Sequence, residues 1–303
     1  MSSRSKRFRH FAAASMLVAL TGASATGCKG DGLVGLLITN QQEVELGAGV
    51  DEQIMMEYKI LEDSDPAAVW ARELVSSLTP AADAHRPQSE FGGYKVKVIY
   101  DNNLVNAFAA PGGYVYIVSG LILSAQTCAE VAGVVGHELA HVTQRHSVKK
   151  LAKSSLFSTL TSVILNEGIT QTVINTSYEV LQNTAFSRRD ESESDKVGSE
   201  IMYEAGYNPY ALADMFETLK EQAGGSAGRF IQFFSSHPDP GNRAERIRDR
   251  IASDWDDVAE DDSSTYFYDC VGTTRTLDEI RGRLSAGTVS VRPGTGVNPP
   301  AAP

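Results

Sequence analysis

The chain has 303 residues, 42% of them hydrophobic and 21% charged, which is enough for one substantial globular core. Its formal net charge of −11 argues against a nucleic-acid partner, because phosphates demand Lys and Arg. Three cysteines are too few for a disulfide scaffold.

Arg4, Lys6, Arg7 and Arg9 precede any acid, and an apolar run from Phe11 to about Ala23 follows. A basic start, a short apolar stretch and small residues before a cleavage point read as a secretory signal over residues 1–27, not a membrane span. Ala23-Ser24-Ala25 offers a site that would release a soluble chain. Ala25-Thr26-Gly27-Cys28 is similar to a bacterial lipobox, with Ala where Leu is usual, and is the favoured reading. It implies lipidation at Cys28, and Lys29 in place of Asp implies sorting to the outer membrane, with membrane affinity supplied by the acyl chains. Loss of the signal removes four positive charges and no negative ones, moving the net charge from −11 to −15. Cys128 and Cys270 then remain, and an oxidising compartment permits a bridge between them.

Residues 28–40 read as a tether, followed by helical patterning over 41–61 and 66–78. Lys95 to Tyr100 alternates polar and apolar residues as a half-buried strand does, and Asp101-Asn102-Asn103 makes a turn. Leu104 to Ala110 and Tyr114 to Ser119, on either side of Pro111-Gly112-Gly113, are two more strands. The expected fold class is α+β, mainly helical, with a short antiparallel sheet. From about Ala125 to Lys153 the pattern is helical and apolar enough for a central, buried helix. Residues 154–185 divide into two amphipathic helices at Asn166-Glu167-Gly168, and a charged helix runs from about Arg189 to Ala205. Helices over 210–222 and 243–251 complete a domain spanning 41–252. The region 253–303 is acidic and then Pro/Gly-rich, with a disordered tail expected from Arg292.

His137-Glu138-Leu139-Ala140-His141 lies within the central helix. Residues at i and i+4 share a helix face, so both imidazoles can reach one metal ion, and Glu138 projects beside them as a general base. With 6 His and 38 acids in the chain, His-acid-x-x-His is expected roughly 0.015 times by chance. A catalytic zinc needs a third protein ligand and a position for water. His146 lies five residues on, about 140° around a continuous helix, and so reads as a polar histidine or one that supports the ligands from behind, not as the third ligand. Asp190, Glu191, Glu193 and Asp195 are the carboxylate alternatives. The i, i+4 spacing favours Glu191 and Asp195, one as ligand and the other holding a histidine N–H.

Four stretches together resemble the M48 peptidases: Asn106 to Tyr116; Glu130 to His141; Ser187-Arg188 with Glu191 and Ser194-Asp195; and Ser236-His237-Pro238 followed by Arg246-Ile247. Ser194 stands where that family usually has Ala. The resemblance implies a gluzincin-type zincin fold, one Zn2+ per chain held by His137, His141 and Glu191, and Asp195 behind the ligands. It implies that Asn106, Ala107, Phe108, Ala109, Ala110 and Pro111 form an edge strand against which substrate lies, a geometry in which an extended peptide gains main-chain hydrogen bonds. His237 resembles a histidine that can occupy the open zinc position in a self-inhibited state, and Arg246 is placed to steady transition-state charge or anchor that loop. The function implied is a zinc metalloendopeptidase acting on unfolded or misfolded polypeptides in the periplasm, anchored at the outer membrane. The alternative is a chaperone-like binder of such chains with a closed metal site.

Overall fold

The computed structural model describes residues 38–154, 156–223, 233, 235–238, 242–260, 267 and 269–297. The signal segment and Cys28 lie outside the described residues. Helix α1 (Asn40–Glu57) opens on a Thr39 capping box, and α2 (Pro66–Asp83) on an Asp65 cap with Pro at its first position. Strands β1 (Lys95–Ile99), β2 (Ala107–Ala110) and β3 (Tyr114–Val118) follow, then the short α3 (Ser119–Ser124). The centre is α4 (Cys128–Thr143), followed by α5 (His146–Lys153), α6 (Phe157–Glu167) and α7 (Gln171–Asn183). Helices α8 (Arg188–Glu204), α9 (Tyr210–Ala223), α10 (Arg243–Asp254) and α11 (Leu277–Ser285) complete the described elements.

The sheet has three strands in the order β1–β3–β2 and is mixed, not antiparallel as the sequence suggests. The chain leaves β1 for the far edge, turns through Pro111-Gly112-Gly113, and inserts β3 between the first two strands. That turn needs left-handed backbone, with φ of 72° at Gly112 and 81° at Gly113. β3 therefore runs antiparallel to β2 and parallel to β1. The two edges of the sheet differ. Leu61 N–H donates to Val98 O and Tyr100 N–H to Lys59 O, so the 59–61 segment covers the β1 side. β2 pairs only with β3 among the described residues, and its outer side is an unpaired edge.

The region from Cys270 onward also packs on the domain. Cys270 and Cys128 form a disulfide across a sequence separation of 142, and Leu277, Ile280 and Leu284 of α11 are buried. The expected disordered tail is ordered over 292–297: Arg292 N–H donates to Ile60 O, Thr295 Oγ1 accepts from Ile60 N–H, and Gly296 N–H donates to Met55 O. Free backbone donors and acceptors beside Ile60 supply partners that the tail's composition does not reveal.

Every residue of α4 is buried, as an apolar helix surrounded by its fold must be. It packs on α8 at a crossing that only glycine allows. A Cβ on Gly198 would lie 2.9 Å from His137 N and 3.0 Å from its Cα. Gly198→Ala is expected to force the two helices apart, costing about 1–3 kcal/mol and loosening any metal held between them. Thermal melts with and without zinc measure both effects, and a metal-dependent stabilisation equal to wild type would contradict the second.

Candidate metal centre

Three helices and one loop converge on a buried cluster. α4 presents His137 and His141 one turn apart, as the i, i+4 spacing requires. α8 begins with a Ser187 capping box closed by Asp190, which fixes the helix start and aims Glu191 and Asp195 from one face toward α4. His237 comes from the segment before α10, and Arg243 is the first residue of α10. Ligand atoms of His137, His141, Glu191 and His237 all lie within 4.8 Å of one another.

The inner distances are short. His137 Nε2 and His141 Nε2 are 3.0 Å apart, and His141 Nε2 is 3.3 Å from Glu191 Oε1. His237 Nδ1 lies 3.3 Å from His137 Nε2 and 3.2 Å from Glu191 Oε1. Three imidazoles and one carboxylate turned inward, with four potential ligand atoms so close, form a donor set suited to a divalent cation. Asp195 Oδ1 is 3.0 Å from His137 Nδ1, which fixes the Nδ1–H tautomer and leaves Nε2 facing inward.

The electrostatics of the cluster keep its carboxylate donor ionised. Burial opposes ionisation of Glu191, yet His237, His137 and His141 hold its carboxyl well below the usual range. Burial and Arg243 press the His137 imidazole down, but Asp195 and Glu191 outweigh them and carry it up to about 9. That proton sits where a metal would bind, so metal and proton compete for the ring. Glu138 is fully buried, and neither of its carboxylate oxygens has a hydrogen-bond partner. Burial raises its pKa, against the lowering pull of His237 and His137. A buried carboxylate with no hydrogen-bond partner is costly in a purely structural setting and is suited to accepting a proton at a reaction centre.

Arg243 occupies the position that the sequence reading gave to Arg246. Arg246 is exposed on α10, whereas Arg243 is buried, ion-paired with Glu191 (Nη1 to Oε2, 2.8 Å) and donating from Nε to Asp195 Oδ2 at 2.8 Å. A cation at a helix N-terminus opposes the helix dipole, and these two carboxylates offset that cost. Its guanidinium also lies 4.1 Å above the Phe216 ring.

The helix through His146 is the second correction, although His146 itself lies behind the ligands and not among them. The expected continuous helix over 125–153 breaks where Arg145 takes a left-handed conformation, φ 55°. α5 then starts afresh at His146 and returns its ring to the site. His146 Nδ1 lies 3.0 Å from His141 Nδ1 and 3.1 Å from Ser194 Oγ, and its Nε2 is 3.5 Å from Glu193. Burial pushes its pKa down to about 4, so the neutral ring can accept the His141 Nδ1–H. His146→Phe is expected to weaken metal binding by about 10–100-fold, measured by chelator competition; unchanged affinity would remove His146 from the site's support.

Asn106 and β2 border the cluster. Ala109 O accepts from Ser147 Oγ at 3.2 Å, tying the strand to α5. Phe186 stacks on His141 with ring centres 4.0 Å apart. Among the described residues no helix is long and apolar enough to cross a membrane.

A buried His/Glu donor ring, a glutamate without a hydrogen-bond partner beside it and an open strand edge define the centre of a metalloprotease. The chain belongs to peptidase family M48, whose model matches residues 68–251. It is 31% identical over 252 residues to the metalloprotease LoiP of Escherichia coli, covering 79% of this chain and 97% of that protein. It is 29% identical over 216 residues to the mitochondrial metalloendopeptidase OMA1 of Arabidopsis thaliana, covering 68% of this chain and 44% of the relative. Against the beta-barrel assembly-enhancing protease of Escherichia coli it is 29% identical over 163 residues, half of this chain and 33% of that one.

Proposed function

We propose that this chain is a zinc-dependent endopeptidase that cleaves unfolded or misfolded polypeptides in the bacterial cell envelope. The observation that carries the reading is the Glu138 carboxylate, buried and without a hydrogen-bond partner beside three inward imidazoles and Glu191. His137, His141 and Glu191 hold the zinc, and Asp195 and His146 orient the two histidines. When bound, zinc supplies Lewis acidity toward a carbonyl oxygen and a water. Glu138 takes the proton of the attacking water at its carboxylate and later delivers it to the departing amine. The outer side of β2, Asn106 to Pro111, aligns an extended substrate through main-chain hydrogen bonds, a mode that favours unfolded chains. Arg243 anchors Glu191 and Asp195.

The envelope location rests on the signal reading of residues 1–27 and on Cys28 as a lipid anchor. The name of the beta-barrel assembly-enhancing relative supports β-barrel polypeptides that have not assembled as one class of substrate.

One observation favours a latent form of this enzyme. His237 completes the donor ring, and its Nε2 lies 3.4 Å from Glu138 Oε1, so it stands where a substrate carbonyl and a water must enter. In that state the protein would bind unfolded chains without cutting them. The test is cleavage of casein by the zinc-loaded chain lacking residues 1–28, beside a chelated sample and His237→Ala. Zinc-dependent cleavage that rises several-fold in His237→Ala supports a protease closed by this histidine. No cleavage by either zinc-loaded protein, with binding retained, supports the chaperone-like alternative.

A further inference from the structure

Arg145 is the one non-glycine residue with a left-handed backbone among the described residues, at φ 55° and ψ 35°. A residue with a Cβ resists that conformation, so its surroundings must hold it there. The turn has a visible result. His141 lies in the last turn of α4 and His146 opens α5, and their Nδ1 atoms come within 3.0 Å of each other. On a continuous helix the two rings would diverge.

The Arg145 side chain is held from α1. Its Nε donates to Glu43 Oε2 at 2.8 Å, and its Nη2 donates to Ile38 O at 2.7 Å. Glu43 is 2% exposed, and its carboxylate also takes a two-pronged bond from Arg86. Arg86 Nη1 donates to Oε1 at 3.1 Å and Nη2 to Oε2 at 3.0 Å. Arg86 Nη1 further donates to Val142 O at 3.3 Å, at the C-terminal end of α4, where the helix dipole favours a cation. Charge-assisted bonds in a poorly solvated space are the strong ones. Arg86 alone would balance the charge of Glu43. The added bond falls on the residue whose backbone is strained.

We propose that Glu43 is a positioning residue of the metal centre. Through Arg145 it holds the left-handed turn that returns His146 to His141, and His146 fixes the tautomer and ring angle of that ligand. Glu43 touches neither the metal residues nor the substrate edge. The inference rests on the reading of His137, His141 and Glu191 as zinc ligands, and it extends the support of the site to α1. Ser147 Oγ still donates to Ala109 O, and Lys153 still pairs with Asp190, so α5 stays docked when the clamp is lost. The change falls on the angle of His146 and leaves the fold in place.

Glycine adopts this backbone without a Cβ penalty, which separates the turn from the clamp. Arg145→Ala and Arg145→Gly both remove the bonds to Glu43 and leave the Glu43–Arg86 pair in place. Zinc affinity is measured by chelator competition, and the visible spectrum of the Co2+-loaded protein reports ligand geometry. Arg145→Ala is expected to bind zinc about 5–30-fold more weakly, the equivalent of the left-handed penalty, and Arg145→Gly within about twofold of wild type. The cobalt spectrum should change in the Ala variant and not in the Gly variant. Glu43→Gln, whose amide NH2 meets a guanidinium, should weaken zinc by a similar factor. Arg145→Gly placed in that background should restore zinc affinity while the melting temperature stays low, a rescue that a merely structural carboxylate would not show. Equal zinc affinity in Arg145→Ala and Arg145→Gly, or a loss in Glu43→Gln that glycine does not restore, overturns the proposal. If Glu43→Gln does not fold, the Arg145 pair decides alone. Casein cleavage by wild type separates this inference from the endopeptidase reading. Cleavage, with the Ala and Gly variants alike in zinc affinity, sinks the clamp and leaves the protease. The expected affinity pattern without any cleavage keeps the clamp and sinks the protease.

Discussion

Glu138→Gln is expected to lower turnover by about 10²–10⁴-fold while zinc content and melting temperature stay at or above wild type. The amide keeps the size of the carboxylate but cannot accept the proton of an attacking water. Removing the charge also removes a desolvation cost, because both carboxylate oxygens are buried and without a hydrogen-bond partner. Stability therefore moves in the opposite direction from activity. The same substitution at Glu191 behaves differently. Glu191 is placed against three histidines and Arg243, so its loss weakens metal binding as well as turnover. Measuring kcat and zinc content together separates a base from a ligand. Wild-type turnover by Glu138→Gln would falsify the mechanism proposed here.

Opening the Cys128–Cys270 bridge has the largest expected effect on stability. In the chain-entropy account a cross-link spanning 142 residues contributes about 5 kcal/mol. Cys270→Ser is thus expected to lower Tm on the order of 10 °C. Trp70 Nε1 lies 3.2 Å from Cys270 Sγ, so reduction should also change tryptophan fluorescence. Cys128 is the first residue of α4, the helix that carries His137 and His141, but the metal residues are more than two turns away. Turnover at 25 °C should therefore change little. A Tm unaffected by the substitution would mean that the C-terminal region is held by α11 and its apolar contacts alone.

The sequence showed the parts of the site that obey local rules. His137, Glu138 and His141 are legible because i, i+4 spacing on an apolar helix is a local property. Glu191 and Asp195 are legible for the same reason once a second helix is drawn. What escaped depends on tertiary geometry. The parallel pairing of β1 and β3 requires knowing that the chain crosses to the far edge before it turns. His146 was aimed away by extending one helix through Arg145, where a single left-handed residue redirects the chain. Arg243 and Arg246 lie on the same helix, and only the neighbouring Asp195 and Glu191 separate the buried one from the exposed one. The order of residues 292–297 comes from backbone groups near Ile60, which no reading of a Pro/Gly-rich tail contains.

The covering of the β1 edge has a kinetic consequence. The bond from Ile60 N–H to Thr295 Oγ1 joins residues 235 positions apart. A chain made from its N-terminus has already presented α1, α2 and the whole sheet before the partner of Ile60 exists. Loop-closure entropy must be met before that contact returns anything, and topologies rich in such distant pairings fold slowly. Until then the β1 side depends on the 59–61 segment without its outer support. The finished protein leaves one strand edge open for a substrate, whereas the nascent one has a second edge to protect from its own neighbours.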